Sequence, residues 1–170
     1  MLKNKILPTV VLSAICVTVA LLLSVANIFT SDVIDKAQKE KVAKTLRVVY
    51  PAGESFDSVS IEGKELPASI SEAYRANDGG YVFKAAVKGY KSGLVIMVGV
   101  SPDGAVTDTK WVESQETNGA EDKLDGAYNG KNADELEAII ISGSTKTSKG
   151  YKDAVNDALD AYEKLKGEAQ

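Results

Sequence analysis

Residues 6–31 contain no charged side chain, and their interior, VVLSAICVTVALLLSVANIF, is apolar over the roughly 20 residues that a helix needs to cross a hydrocarbon core. The pattern predicts a transmembrane helix over 6–31. Lys3 and Lys5 precede the run, and Asp32 and Asp35 follow it. The excess of basic residues on one flank places the short N-terminus in the cytoplasm and the rest of the chain on the exterior face of the membrane. A cleaved signal peptide is the rival reading, but its apolar region would be about twice the usual length, and no small-x-small site closes it.

Beyond the run, DVIDKAQKEKVAKTLRVV spaces Val33, Ala37, Val42 and Leu46 between charges at near-helical intervals. This predicts a helical stalk over 32–50, stopped by Pro51 and Gly53, and leaves 51–170 as the exterior domain. Phe56, Val59, Ile61 and Leu66 are scattered among Gly, Glu and Pro and define no firm element. The pattern then sharpens. Asp78-Gly79-Gly80 is a turn, Tyr81–Val87 a strand, Gly89–Gly93 a break, and Leu94–Val100 a nearly continuous apolar strand. Asp103-Gly104 turns the chain again, and Ala105–Val112 forms a third strand. Connections this short make the three strands antiparallel neighbours, because a parallel crossover needs a dozen or more residues. The polar, glycine-interrupted stretch that follows suits a surface loop with a short helix at Asn132–Glu137. Finally, Tyr151, Ala154, Val155, Ala158, Leu159, Tyr162 and Leu165 recur every three or four residues, an amphipathic helix. The fold class is α+β: an N-terminal transmembrane helix, then an antiparallel sheet with flanking helices.

Composition narrows the chemistry. The chain of 170 residues has no histidine, and its one cysteine, Cys16, sits in the apolar run. The domain after it can therefore form no disulfide by itself, hold no cysteine-ligated iron–sulfur cluster and build no histidine-based hydrolytic triad. No DxDxDG spacing marks a calcium loop, and no metal site is expected. Residues after 31 carry 18 basic and 24 acidic groups, a formal net charge of −6, which disfavours nucleic acid as a partner. The lipid bilayer is the partner the apolar run implies.

Between the last apolar run and the amphipathic helix lies ISGSTKTSKGYKDAV, residues 141–155. Ser148 or Thr147 suits an N-cap there, and the plain reading takes the hydroxyls as caps and turn formers. The functional reading adds that Gly143 lets backbone approach a ligand. Ser142, Ser144, Thr145 and Thr147 offer hydroxyls, and Lys146 and Lys149 bring positive charge to a helix start that already favours anions. A phosphate suits such a place. The spacing is neither a P-loop nor a nucleophile elbow.

These features together resemble the family of FMN-binding membrane subunits of bacterial redox-driven ion pumps, the G subunits of Rnf complexes and the related C subunits of sodium-pumping NADH:quinone reductases. In that family an anchored exterior domain carries SGAT followed by x-T-S, and FMN is attached through its phosphate to the threonine of SGAT. Here the motif stands as Ser142-Gly143-Ser144-Thr145, continued by Lys146, Thr147 and Ser148. The resemblance implies Thr145 as the covalent FMN acceptor, with Ser142, Gly143, Ser144, Lys146, Thr147 and Ser148 around the cofactor. The strand block 80–122 is likewise similar to the family's strands and their ETPGLG-like loop, here Glu116-Thr117-Asn118-Gly119-Ala120-Glu121, which implies Glu116 and Thr117 near the flavin.

The chain departs from the pattern at Ser144, at Asn118, Ala120 and Glu121, and at Ile139, where the family usually has an aspartate six residues before the acceptor; Glu137 is the nearest acid upstream. What the resemblance implies is an electron-transfer subunit working with other membrane and cytoplasmic subunits of an Rnf-type complex that couples electron flow to Na+ or H+ translocation. Two other readings stand beside it: a membrane-anchored scaffold without redox chemistry, and a module binding a phosphorylated ligand noncovalently.

Overall fold

The computed structural model describes residues 11–13, 15–20, 40–116 and 119–168. The chain forms two compact units, Met1–Val42 and Ala43–Gln170. In the first, residues 11–13 and 15–20 are helical. Among the described residues no helix is long and apolar enough to cross a membrane. The apolar run expected to do so, 6–31, lies mostly outside the described residues, as does stalk segment 32–39.

The second unit is built on a five-stranded antiparallel sheet in simple sequential order: β1 (Phe56–Val59), β2 (Ile70–Ala76), β3 (Tyr81–Lys88), β4 (Ser92–Val100) and β5 (Val106–Glu113). The last three are the expected strands, with Phe83 opposite Val98 and Ile96 opposite Trp111. The first two correct the reading of 56–76 as irregular. β1 has only four residues, and in β2, ISEAYRA, the buried residues are Ile70 and Ala73, which join the main core, and Ala76, which lies on the opposite face. Two of those three are alanines, and a bulge between Ile70 and Glu72 breaks the period of two. The buried residues therefore fall three apart and show no period of two in burial or in hydrophobicity.

One face of the sheet is covered by the final helix, α3 (Thr145–Glu168). All seven apolar residues of the expected stripe, from Tyr151 to Leu165, are buried there. They pack with Tyr81, Phe83, Leu94, Ile96 and Val98 in a single core cluster. A strand shows alternate residues to opposite sides, so Val82 and Met97 point the other way, and both are fully buried. On that side of the sheet lies the end of a helix, α1, at 40–49. Leu46, Val49 and Tyr50 are buried, and the Val49 carbonyl accepts the Thr107 hydroxyl at 2.8 Å. Gly99 makes this approach possible: a Cβ there would lie 2.6 Å from the Val49 oxygen. The last turn of the expected stalk thus packs into the sheet instead of standing clear of it.

Segment 125–131 closes the edge of β5. Gly130 N–H donates to the Val106 carbonyl (2.8 Å), Val106 N–H donates to that of Lys131 (2.9 Å), and the Asp125 carboxylate accepts Trp111 N–H at 2.9 Å. Unpaired edge groups are thereby satisfied. Asp125 also accepts the Tyr151 hydroxyl at 2.8 Å. Burial, reinforced by that carboxylate, holds the Tyr151 phenol far above its ordinary value, so it remains a donor. Just before this segment a short helix, α2 (Ala120–Leu124), replaces part of the expected surface loop. The helix expected at Asn132–Glu137 is a single 3-10 turn, Ala133–Glu135, capped by the Asn132 side chain.

Candidate functional site

The stretch 141–148 is organised by one tight turn and one inward-facing hydroxyl. Ser144 N–H donates to the Ile141 carbonyl at 2.9 Å, and Gly143 takes a left-handed φ of 79° between them. An L side chain rarely adopts that conformation. α3 then begins at Thr145, four residues earlier than a cap at Ser148 or three earlier than one at Thr147 would allow. The expected caps are instead inside the helix. Ser148 is fully buried; its Oγ donates to the Ser144 carbonyl and accepts Ile141 N–H, both at 3.0 Å. It ties the turn to the helix from within, so the polar atoms of a solvent-excluded hydroxyl all have partners.

Thr147 faces the sheet and is also buried. Its hydroxyl donates to Glu116 Oε2 at 2.5 Å. The same carboxylate accepts Tyr90 N–H at 3.2 Å on Oε2 and Lys91 N–H at 2.9 Å on Oε1. Glu116, in the loop that follows β5, therefore bridges the β3–β4 turn to the first turn of α3. Two glycines permit the close approach. At Gly89 a Cβ would lie 2.5 Å from Glu116 Oε1, and at Gly150 it would lie 2.6 Å from the Lys88 carbonyl oxygen.

Between the bridged parts is an open cavity of about 530 Å³, lined by Tyr90, Glu116 and residues 143–147. That is within the range of about 300–1,000 Å³ found for small-molecule sites. Its floor is the start of a 24-residue helix, where N–H groups without intrahelical partners and the helix dipole both favour an anion. Lys146 is exposed in its wall, with its ammonium 5.7 Å from the centroid of the Tyr90 ring.

The expected site residues divide on this geometry. Glu116, Gly143, Ser144, Thr145, Lys146 and Thr147 come together around the cavity. Ser142 is exposed but outside its lining, Ser148 is sealed in the turn, and Thr117 lies outside the described residues. Among the serine and threonine hydroxyls lining the cavity, Ser144 and Thr147 are buried and Thr145 is exposed. Ile139 packs half-buried against the main core, while Glu137 is exposed. Neither lines the cavity, whose one carboxylate among the described residues is Glu116. Tyr90 was missed: in KGYKSG it reads as part of a turn, and the only signal was a large aromatic placed between glycines. No group of three or more metal-ligating side chains occurs among the described residues.

A sheet-and-helix domain in which a helix start, the kind of place that favours an anion, lines a cavity of small-molecule size is the form of a cofactor-binding domain. The family model for the FMN-binding domain matches residues 89–160, a span that holds every residue lining the cavity. Across most of its length the chain is similar to two curated proteins. The G subunit of the Na(+)-translocating ferredoxin:NAD(+) oxidoreductase complex of Acetobacterium woodii is 26% identical, covering 91% of this chain and 90% of that protein. The G subunit of the proton-translocating ferredoxin:NAD(+) oxidoreductase complex of Clostridium ljungdahlii is 27% identical, covering 88% and 86%. The resemblance to Rnf-type G subunits seen in the motifs thus extends over about nine-tenths of the chain.

Proposed function

We propose that this chain is the FMN-carrying, electron-transferring subunit of a membrane-bound, ion-translocating ferredoxin:NAD oxidoreductase complex, with the flavin joined through its phosphate to Thr145. The observation that carries the reading is a coincidence of independent features. The residues matched to the FMN-binding domain enclose the cavity, and the cavity presents one exposed hydroxyl at the start of a helix. FMN fits what is there: a phosphate beside the first N–H groups of α3 and Lys146, and volume beyond it for the ring system. Bound FMN exchanges one or two electrons, which lets a subunit pass charge between carriers of different stoichiometry.

The chain's own residues supply position. Glu116 and Thr147 hold the β3–β4 turn against the helix, and the Ile141–Ser144 turn, with Gly143 at its bend, directs Thr145 outward. A phosphodiester on Thr145 keeps one negative charge, and the helix start favours it by roughly 0.3–1 kcal/mol when exposed. Both relatives are named as subunits of ion-translocating complexes, one for sodium and one for protons; that difference leaves Na+ and H+ as the two candidates for coupling here. Other subunits of such a complex are the partners. Intact-mass measurement on protein from its native membrane should show the polypeptide plus one FMN residue. An unmodified polypeptide in an assembled, active complex would sink covalent attachment, and flavin lost on denaturation would reduce the site to noncovalent binding.

Anchoring follows from the apolar run. We assign 6–31 to a single membrane span, 32–50 to a helical stalk whose last turn packs on the sheet, and 51–170 to an exterior FMN-binding domain, the orientation on the support of Lys3 and Lys5 against Asp32 and Asp35. A reporter active only outside the cytoplasm, fused after Gln170, should be active; silence with full expression would reverse the orientation.

A further inference from the structure

Tyr90 is out of place by the standards of this domain. Tyr50, Tyr81, Tyr128, Tyr151 and Tyr162 are all buried, whereas Tyr90 is 63% exposed. Such exposure alone is ordinary for an aromatic on a loose turn, but this turn is held. Tyr90 N–H and Lys91 N–H both bond to Glu116, and Glu116 also holds Thr147. The ring is thereby carried on the same frame as residues 143–147, and it lines the same cavity. Its face takes the Lys146 ammonium at 5.7 Å, from the residue next to Thr145.

We propose that Tyr90 is the platform against which the flavin's isoalloxazine ring stacks, taking the place of the Lys146 ammonium on that ring face. This rests on the flavin reading of the cavity and adds the residue that orients the ring. The chemistry suits it: a planar, electron-poor ring pairs with an electron-rich phenol in an offset stack. An anchor at Thr145 fixes only the phosphate end of the cofactor. A second contact is needed to hold the ring in one orientation, and among the described residues Tyr90 is the aromatic side chain that lines the cavity.

The test uses the full chain purified with its flavin, as wild type, Y90L and Y90W, and compares flavin emission in the native and denatured states. An excited flavin stacked on tyrosine takes an electron from the phenol and returns it, so emission is quenched and nothing is consumed. Wild-type emission should rise severalfold on denaturation. Y90L should already emit strongly when native, and Y90W, which keeps an electron-rich ring, should stay quenched. Because the side chain is on the surface, all three should melt at about the same temperature. Native Y90L that carries flavin and remains as quenched as wild type overturns the platform. So does a wild type that is unquenched when native. A wild type that holds no flavin in either state defeats the flavin reading itself, which separates the two failures.

Discussion

Thr145→Ala should abolish covalently held flavin altogether, leaving a folded chain whose band on a denaturing gel no longer fluoresces. The effect is expected to be complete because, among the described residues, no second serine or threonine hydroxyl is both exposed and in the cavity. Ser144 and Thr147 are buried, and Ser142, although exposed, is outside the lining. Thr145→Ser keeps the oxygen and should retain attachment, as should Ser142→Ala. Folding should be little disturbed, since an exposed residue in the first turn of a long helix contributes to stability mainly through local propensity, within about 0.5–1 kcal/mol. Retention of the fluorescent band in Thr145→Ala with its loss in Thr147→Ala would move the acceptor by two residues and contradict the burial of Thr147.

The second large effect is expected at Glu116. Glu116→Ala removes the acceptor for two backbone N–H groups and for the Thr147 hydroxyl. The backbone groups can turn to water. Thr147 is only 2% exposed and cannot, and an orphaned buried donor costs about 1–3 kcal/mol. Urea unfolding should show a loss of that size, together with reduced flavin incorporation because the cavity walls are no longer tied. Glu116→Gln should lie between: its amide oxygen can accept on one side only, whereas the carboxylate uses both oxygens. In a double-mutant cycle with Thr147→Val the two losses should fall short of additivity by roughly 0.5–3 kcal/mol, the range for residues in direct contact. Additive losses together with unchanged flavin incorporation would show that Glu116 is not the clamp.

How much of this was legible beforehand depends on whether a residue's role is local. β3, β4, β5 and the stripe of α3 announce themselves because each is a periodic pattern read against one neighbouring surface. Tyr151, Ala154, Val155, Ala158, Leu159, Tyr162 and Leu165 are buried where the period of 3.6 puts them. β2 was hidden because two of its three buried residues are alanines, on opposite faces, and its ladder is broken by a bulge. α2 is five residues long and opens after a left-handed Gly119, so it offers no full helical period to detect.

The site divides in the same way. The motif at 142–148, the glycine at 143 and the helix behind them are contiguous, and the chain by itself determined that a hydroxyl-rich turn would meet a helix start. It also determined the absence of histidine and the chemistry that absence excludes. Only the tertiary structure decided which hydroxyl is offered. The helix begins at Thr145 because Ser148 is drawn inward to bond Ile141 and Ser144, and Thr147 is turned away to meet a carboxylate 31 residues distant. It likewise decided that Glu116, and neither Ile139 nor Glu137, brings the acid to the cavity, and that Tyr90 belongs to it. Those assignments depend on strand pairing and on two glycines that let backbone and carboxylate approach to contact distance. Hydrogen bonds between residues far apart in the chain leave no period in the sequence, so only the folded chain reveals them.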